Sequence, residues 1–191
     1  INTIKTYKGK IYLGGSFTKI QNTTANRFAI MYPDGSLENL SLSFNNAVDA
    51  INFYQEKVYV GGRFTKVNNT YRNYLVALDT NGSISNWNPN PNAKVSVVDC
   101  DSNGVYIGGS FSLVANQVRS SFAYISHSGN LTNWNPNANS TGLTIAQSNS
   151  NVFIGGIFNG LGGFDRNYLV AIDTLGQILD WNPNPNNEIY S

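Results

Sequence analysis

Val58-Tyr59-Val60-Gly61-Gly62-Arg63-Phe64-Thr65 is the stretch that decides the fold. Three β-branched or aromatic residues in a row, stopped by a glycine pair, read as a short buried strand with a breaker at its end. The same word returns as Ile11-Tyr12-Leu13-Gly14-Gly15, Val105-Tyr106-Ile107-Gly108-Gly109 and Val152-Phe153-Ile154-Gly155-Gly156, always at a step of 47 residues. Phe17, Phe64, Phe111 and Phe158 keep that step, as do Gly35, Gly82, Gly129 and Gly176. Trp87, Trp134 and Trp181 keep it too, each continuing as Trp-Asn-Pro-Asn. Independent columns in one register, with no insertion, define an internal repeat.

Outward from the glycine pair, each repeat offers three more apolar runs. A weak patch precedes it, at 48–51, 95–98 and 143–145. Leu75-Val76-Ala77-Leu78 follows it, with 28–31, 122–125 and 169–172 in register. The last run lies at 84–87, 131–134 and 178–181. Asp79-Thr80-Asn81-Gly82 and its counterparts separate the third and fourth runs, and a polar turn closed by glycine between apolar runs signals a hairpin. The prolines of Asn-Pro-Asn-Pro cannot donate to a ladder, so that segment is expected to cross to the next unit, its Asn side chains capping backbone. No useful 3.6-residue apolar period occurs.

A step of 47 is too long for a β-helix coil or a leucine-rich repeat and suits a propeller blade. The expectation is an all-β chain, a β-propeller of four-stranded antiparallel blades. Its repeats at about 1–47, 48–94, 95–141 and 142–188 form a single domain. Gly-Gly is expected where backbones crowd toward the central channel. Ile189-Tyr190-Ser191 repeats the phase of Val48-Asp49-Ala50, which predicts a longer chain with further blades before or after these.

The repeated pattern Val-Tyr-Val-Gly-Gly-Arg-Phe-Thr at 58–65, Arg72-Asn73-Tyr74-Leu75-Val76-Ala77-Leu78-Asp79, Gly82 and Trp87-Asn88-Pro89 resembles the delta-60 repeat. This is a β-propeller repeat of secreted bacterial proteins, similar in its Gly-Gly strand to kelch repeats. The first copy departs from it, with Leu40 for Trp, Leu42 for Pro and Ala25 for Arg. Arg27 lies two residues on from Ala25; a two-residue step along a strand keeps the face, so Arg27 is expected to substitute. The resemblance implies a binding or display module of large surface or secreted proteins and no shared catalytic site.

Composition narrows the function classes. Charged residues are 12% of 191 and the net charge is +1. Without a basic stripe, electrostatic capture of nucleic acid or of an anionic membrane is not expected. No apolar run reaches membrane-spanning length, so no membrane insertion is expected. Cys100 is the single cysteine, which excludes an intrachain disulfide within this span.

Chemistry-bearing residues are few. His127 is the single histidine and stands where other copies have Pro33, Thr80 and Thr174, in a turn, so a solvated role is expected. Cys100 has no histidine in register to activate it. Asp99 and Asp101 are the one carboxylate pair on alternate residues; other copies are not acidic there, and no calcium-loop spacing surrounds them. Arg72, Arg119 and Arg166 recur ten residues after their glycine pairs. Recurrence favours a structural task, holding a loop carbonyl or stacking on a tryptophan, over a ligand clamp. The tryptophans are expected to fill the space between blades. Six Asn-x-Ser/Thr sequons match the roughly five expected by chance from this Asn and Ser/Thr content, and carry no reading.

The functional expectation is therefore a non-enzymatic scaffold with no catalytic residues, metal or cofactor. It would belong to an extracellular or cell-surface protein, with a protein or surface glycan as partner. Carbohydrate binding at the Asn-Pro-Asn loops is the alternative, and a hydrolase or lyase at a channel residue such as Asp99 the third.

Overall fold

The computed structural model describes residues 1–190, in which every regular element is a strand. The first unit comprises β1 (Thr3–Tyr7), β2 (Lys10–Gly14), β3 (Lys19–Ile20), β4 (Thr23–Thr24) and β5 (Phe28–Met31). The second comprises β6 (Val48–Tyr54), β7 (Lys57–Gly62), β8 (Lys66–Val67), β9 (Thr70–Tyr71) and β10 (Leu75–Asp79). The third comprises β11 (Val95–Cys100), β12 (Gly104–Gly109), β13 (Leu113–Val114), β14 (Gln117–Val118) and β15 (Phe122–Ser126). The fourth comprises β16 (Gly142–Ser148), β17 (Asn151–Gly156), β18 (Gly160–Leu161), β19 (Phe164–Asp165) and β20 (Leu169–Asp173). No helix is long and apolar enough to cross a membrane among the described residues.

Each unit is an antiparallel three-stranded sheet with the glycine-pair strand in the middle, as in β6–β7–β10 and β11–β12–β15. The four-stranded expectation is met only in part. The fourth run touches its sheet at one bridge per unit, such as Leu78↔Ile84 and Ile125↔Leu131. In the second and third units the peptide carbonyl that would extend this edge is diverted: Ser85 O and Thr132 O accept from arginines. The proline two residues past each tryptophan then removes a donor. An unexpected two-stranded hairpin stands between the second and third strands of every unit, for instance β13–β14. Its turn requires positive φ, supplied by Gln21 and Asn22, by Ala115 and Asn116, and by Gly162 and Gly163.

The first strands of the units stand side by side, and the units bury apolar faces against one another. Phe28 and Ile30 of the first unit cluster with Val60 and Val76 of the second; Tyr59 and Leu75 of the second cluster with Val105 and Ile107 of the third. Gly61 is required there. A Cβ on it would lie 2.7 Å from Val95 Cγ1 of the following unit.

Candidate functional site along the first strands

The first strands β6, β11 and β16, with β1 beside them, line a groove of about 310 Å³. Two of its polar residues, Asp49 and Ser96, sit at register shifts of their strands, between Val48 and Ala50 and between Val95 and Val97. Asp49 is almost buried, its side chain 9% exposed. Its carboxylate accepts from Asn2 Nδ2 at 2.7 Å and Arg63 Nε at 3.1 Å, with Lys94 Nζ at 3.7 Å. One carboxylate thus ties the first unit to the second and to the crossover into the third. Asp99 does the same further along. It accepts from Asn52 Nδ2 and from Gln147 Nε2, each at 2.8 Å, so three successive units share it. Ser96 Oγ, at the position equivalent to Asp49, is buried and has no partner among the described residues.

Asp99 and Asp101 do not converge on a common site. Asp101 Oδ1 caps its own turn, accepting from the Asn103 and Gly104 amides, and accepts from Tyr124 Oη at 2.7 Å. Burial, then Asp101, pushes the Tyr124 phenol upward. Burial, followed by Asp99 and Asp101, also pushes the Cys100 thiol upward, which is the reverse of nucleophile activation.

His127 departs from its expected solvated role. It is half-buried, stacked on Tyr54 with ring centroids 4.1 Å apart. Nε2 faces the Asp101 carbonyl at 2.9 Å and must donate, so in the neutral ring Nδ1 accepts from Tyr59 Oη at 2.8 Å. The ring joins the second unit to the third. A turn residue was drawn inside because units pack there, which one repeat read alone does not reveal.

The tryptophans act between units. Trp87 Nε1 donates to Ser126 O and Trp134 Nε1 to Asp173 O, at 3.0 and 3.2 Å, each in the following unit. Trp181 is 46% exposed. Asn side chains of the crossover clamp backbone, again in the following unit. Asn45 Oδ1 accepts from the Thr65 and Lys66 amides, Asn92 from Ser112 and Leu113, and Asn139 from Asn159 and Gly160. The column Asn45, Asn92, Asn139 and Asn186 was visible as a further 47-step series, and was the signal available for these clamps. Asn52, Gln147, Asp49 and Lys94 carried none, since each differs between copies.

The recurrent arginines hold carbonyls. Arg72 donates to Tyr71 O and Ser85 O, and Arg119 to Val118 O and Thr132 O. Arg166 makes the first of these bonds, to Asp165 O. Arg27 does not substitute in the first unit. Residues 25–27 lie outside the strands and Arg27 has φ 69°, so strand alternation fails there. Its guanidinium reaches Phe44 O instead, at 3.3 Å.

A family model described as "Domain of unknown function (DUF5122) beta-propeller" matches residues 9–39 and 57–84. The match supports a β-propeller family. No curated protein matches. Among solved structures, the computationally designed Ika8 protein is similar, with TM-score 0.67 and 15% identity over 98% of this chain. At that identity the likeness speaks for fold alone. This chain spans 50% of the length of that one.

Proposed function

We propose that the chain is a non-enzymatic β-propeller scaffold, part of a secreted or cell-surface protein that binds or displays a protein partner. One observation carries this reading. Among the residues that differ between repeats, the acidic ones of the first-strand groove and of the turn beside it, Asp49, Asp99 and Asp101, and the single histidine, His127, each have named internal partners. Carboxylates and a histidine engaged in this way serve cohesion rather than proton transfer. The 47-residue units act as blades, each with its fourth run as a thin outer edge. At the end of the crossover Asn92 is engaged in clamping and Asn90 accepts from Asn73 Nδ2, which favours a protein partner over a glycan.

Protease shaving of intact source cells tests the setting. Peptides from this chain should be released before any cytosolic marker; their absence until lysis overturns the surface assignment. Glycan-array binding that an Asn90→Ala variant abolishes would replace the protein partner by a carbohydrate.

A further inference from the structure

In the second and third units an arginine fork bridges two backbone carbonyls. Arg72 Nη1 and Nη2 reach Tyr71 O and Ser85 O at 2.9 and 3.0 Å. Arg119 reaches Val118 O and Thr132 O at 2.8 and 2.5 Å. Subtracting the repeat step places the first unit's counterparts at Thr24 O and Glu38 O, with Ala25 in the arginine's place. The structure has a groove of about 340 Å³ at that spot, lined by Thr24, Ala25 and Glu38 over a floor that includes Phe28, Leu37 and Leu42. Leu40 stands there in place of the tryptophan of the other units. Arg27 is turned away to Phe44 O.

We propose that this groove is a binding site for a guanidinium group, an arginine side chain presented by a partner. The two carbonyls are spaced by the fold to accept two N–H donors of one planar fork, as the sister units show with their own arginines. A charged donor makes such bonds shorter and stronger than neutral ones. The apolar floor accepts the methylene stem. A lysine offers a point charge that cannot span both carbonyls in the same plane. The Glu38 carboxylate is already held by Lys10 Nζ at 2.9 and 2.8 Å, so recognition falls to the backbone oxygens. The groove lies away from the first-strand groove, and this inference stands or falls independently of the scaffold reading.

The test is titration of the isotopically labelled chain with acetyl-Gly-Arg-Gly-amide, followed by amide chemical shifts. Saturable shifts confined to residues 23–25 and 37–42 are expected, with a dissociation constant on the order of 1 mM for so small a probe. The Lys analogue should bind about tenfold more weakly or not at all. Ala25→Arg, which supplies the missing fork in place, should raise the melting temperature and abolish the shifts. Absence of saturable shifts, equal binding of the Lys analogue, or unchanged binding by A25R would each overturn the assignment.

Discussion

Gly109 has no side chain because a Cβ there would stand 2.0 Å from the Lys94 carbonyl oxygen, a backbone atom that cannot swing aside. Gly109→Ala is therefore expected to lower unfolding free energy by about 2 kcal/mol or more; a loss under about 0.5 kcal/mol by urea denaturation would contradict the close approach. Cys100 offers a second check at this scale. With its thiol pushed upward, chiefly by burial, native protein should react with a thiol reagent at mildly alkaline pH far more slowly than urea-unfolded protein. Equal rates would show the thiol to be open. Tyr59 and Tyr106 are each pushed up to about 12, first by burial. An unfolded tyrosine titrates near pH ~10, so above that the unfolded chain loses protons that the folded chain keeps. Stability should hold below pH ~10 and fall as pH rises toward 12, read from urea midpoints across that window. A flat profile would refute the burial.

Between elements, the clamp of each crossover asparagine on the next unit's hairpin has an internal control. Asn92 Oδ1 satisfies two amides at 2.9 and 3.0 Å, whereas Asn186, in the same column, is exposed. In the 191-residue chain Asn92→Ala should cost about 1–2 kcal/mol, from two amides left uncapped, and Asn186→Ala less than about 0.5. Equal effects in thermal unfolding would remove the clamp from the account. The asparagine column shows what a sequence can disclose: a side chain repeated at fixed phase, beside a turn, announces a local backbone task. Strand identity was equally open to reading, because Val58-Tyr59-Val60 and its copies alternate and break within a few residues. The outer run pairs less than its apolar pattern predicts, for a physical reason. Its apolar residues at 84 and 87 serve one bridge and a tryptophan that leaves its own sheet for the next unit. The hairpins of 19–24 and its copies were overlooked because their two-residue strands are too short for any alternation to register.

At the scale of the whole chain, the polar groove along the first strands was illegible. Asn52, Asp99 and Gln147 meet only after three units have stacked, and nothing local in any one of them reports the other two. The arginine groove was half legible: Ala25 and Leu40 stand out against their columns, but the turning away of Arg27 depends on a left-handed backbone. Stacking also sets how stability is distributed. In the 191-residue chain taken by itself, the second and third units touch neighbours on both sides and gain two interfaces, and the first and fourth gain fewer. Amide exchange should be slowest in β7 and β12, the middle strands of the second and third units, and faster in β2 and β17. Uniform protection along the chain would indicate a single cooperative block instead.

The tryptophan-to-carbonyl bond has a direction: the second and third units each give an indole N–H forward, to the third and the fourth, and the first has Leu40 in the tryptophan's place. Such a joint is indifferent to which copy stands on either side of it. A gene duplication or deletion of one 47-residue cassette brings or removes one giving half and one receiving half together and leaves the tryptophan joint whole, whereas the copy-specific ties of Asp49, Asp99 and His127 do not carry over. The chain can therefore lengthen or shorten over evolutionary time without that joint being reinvented, and single copies are free to drift. The first, which has exchanged its arginine for alanine, shows where that freedom has been used.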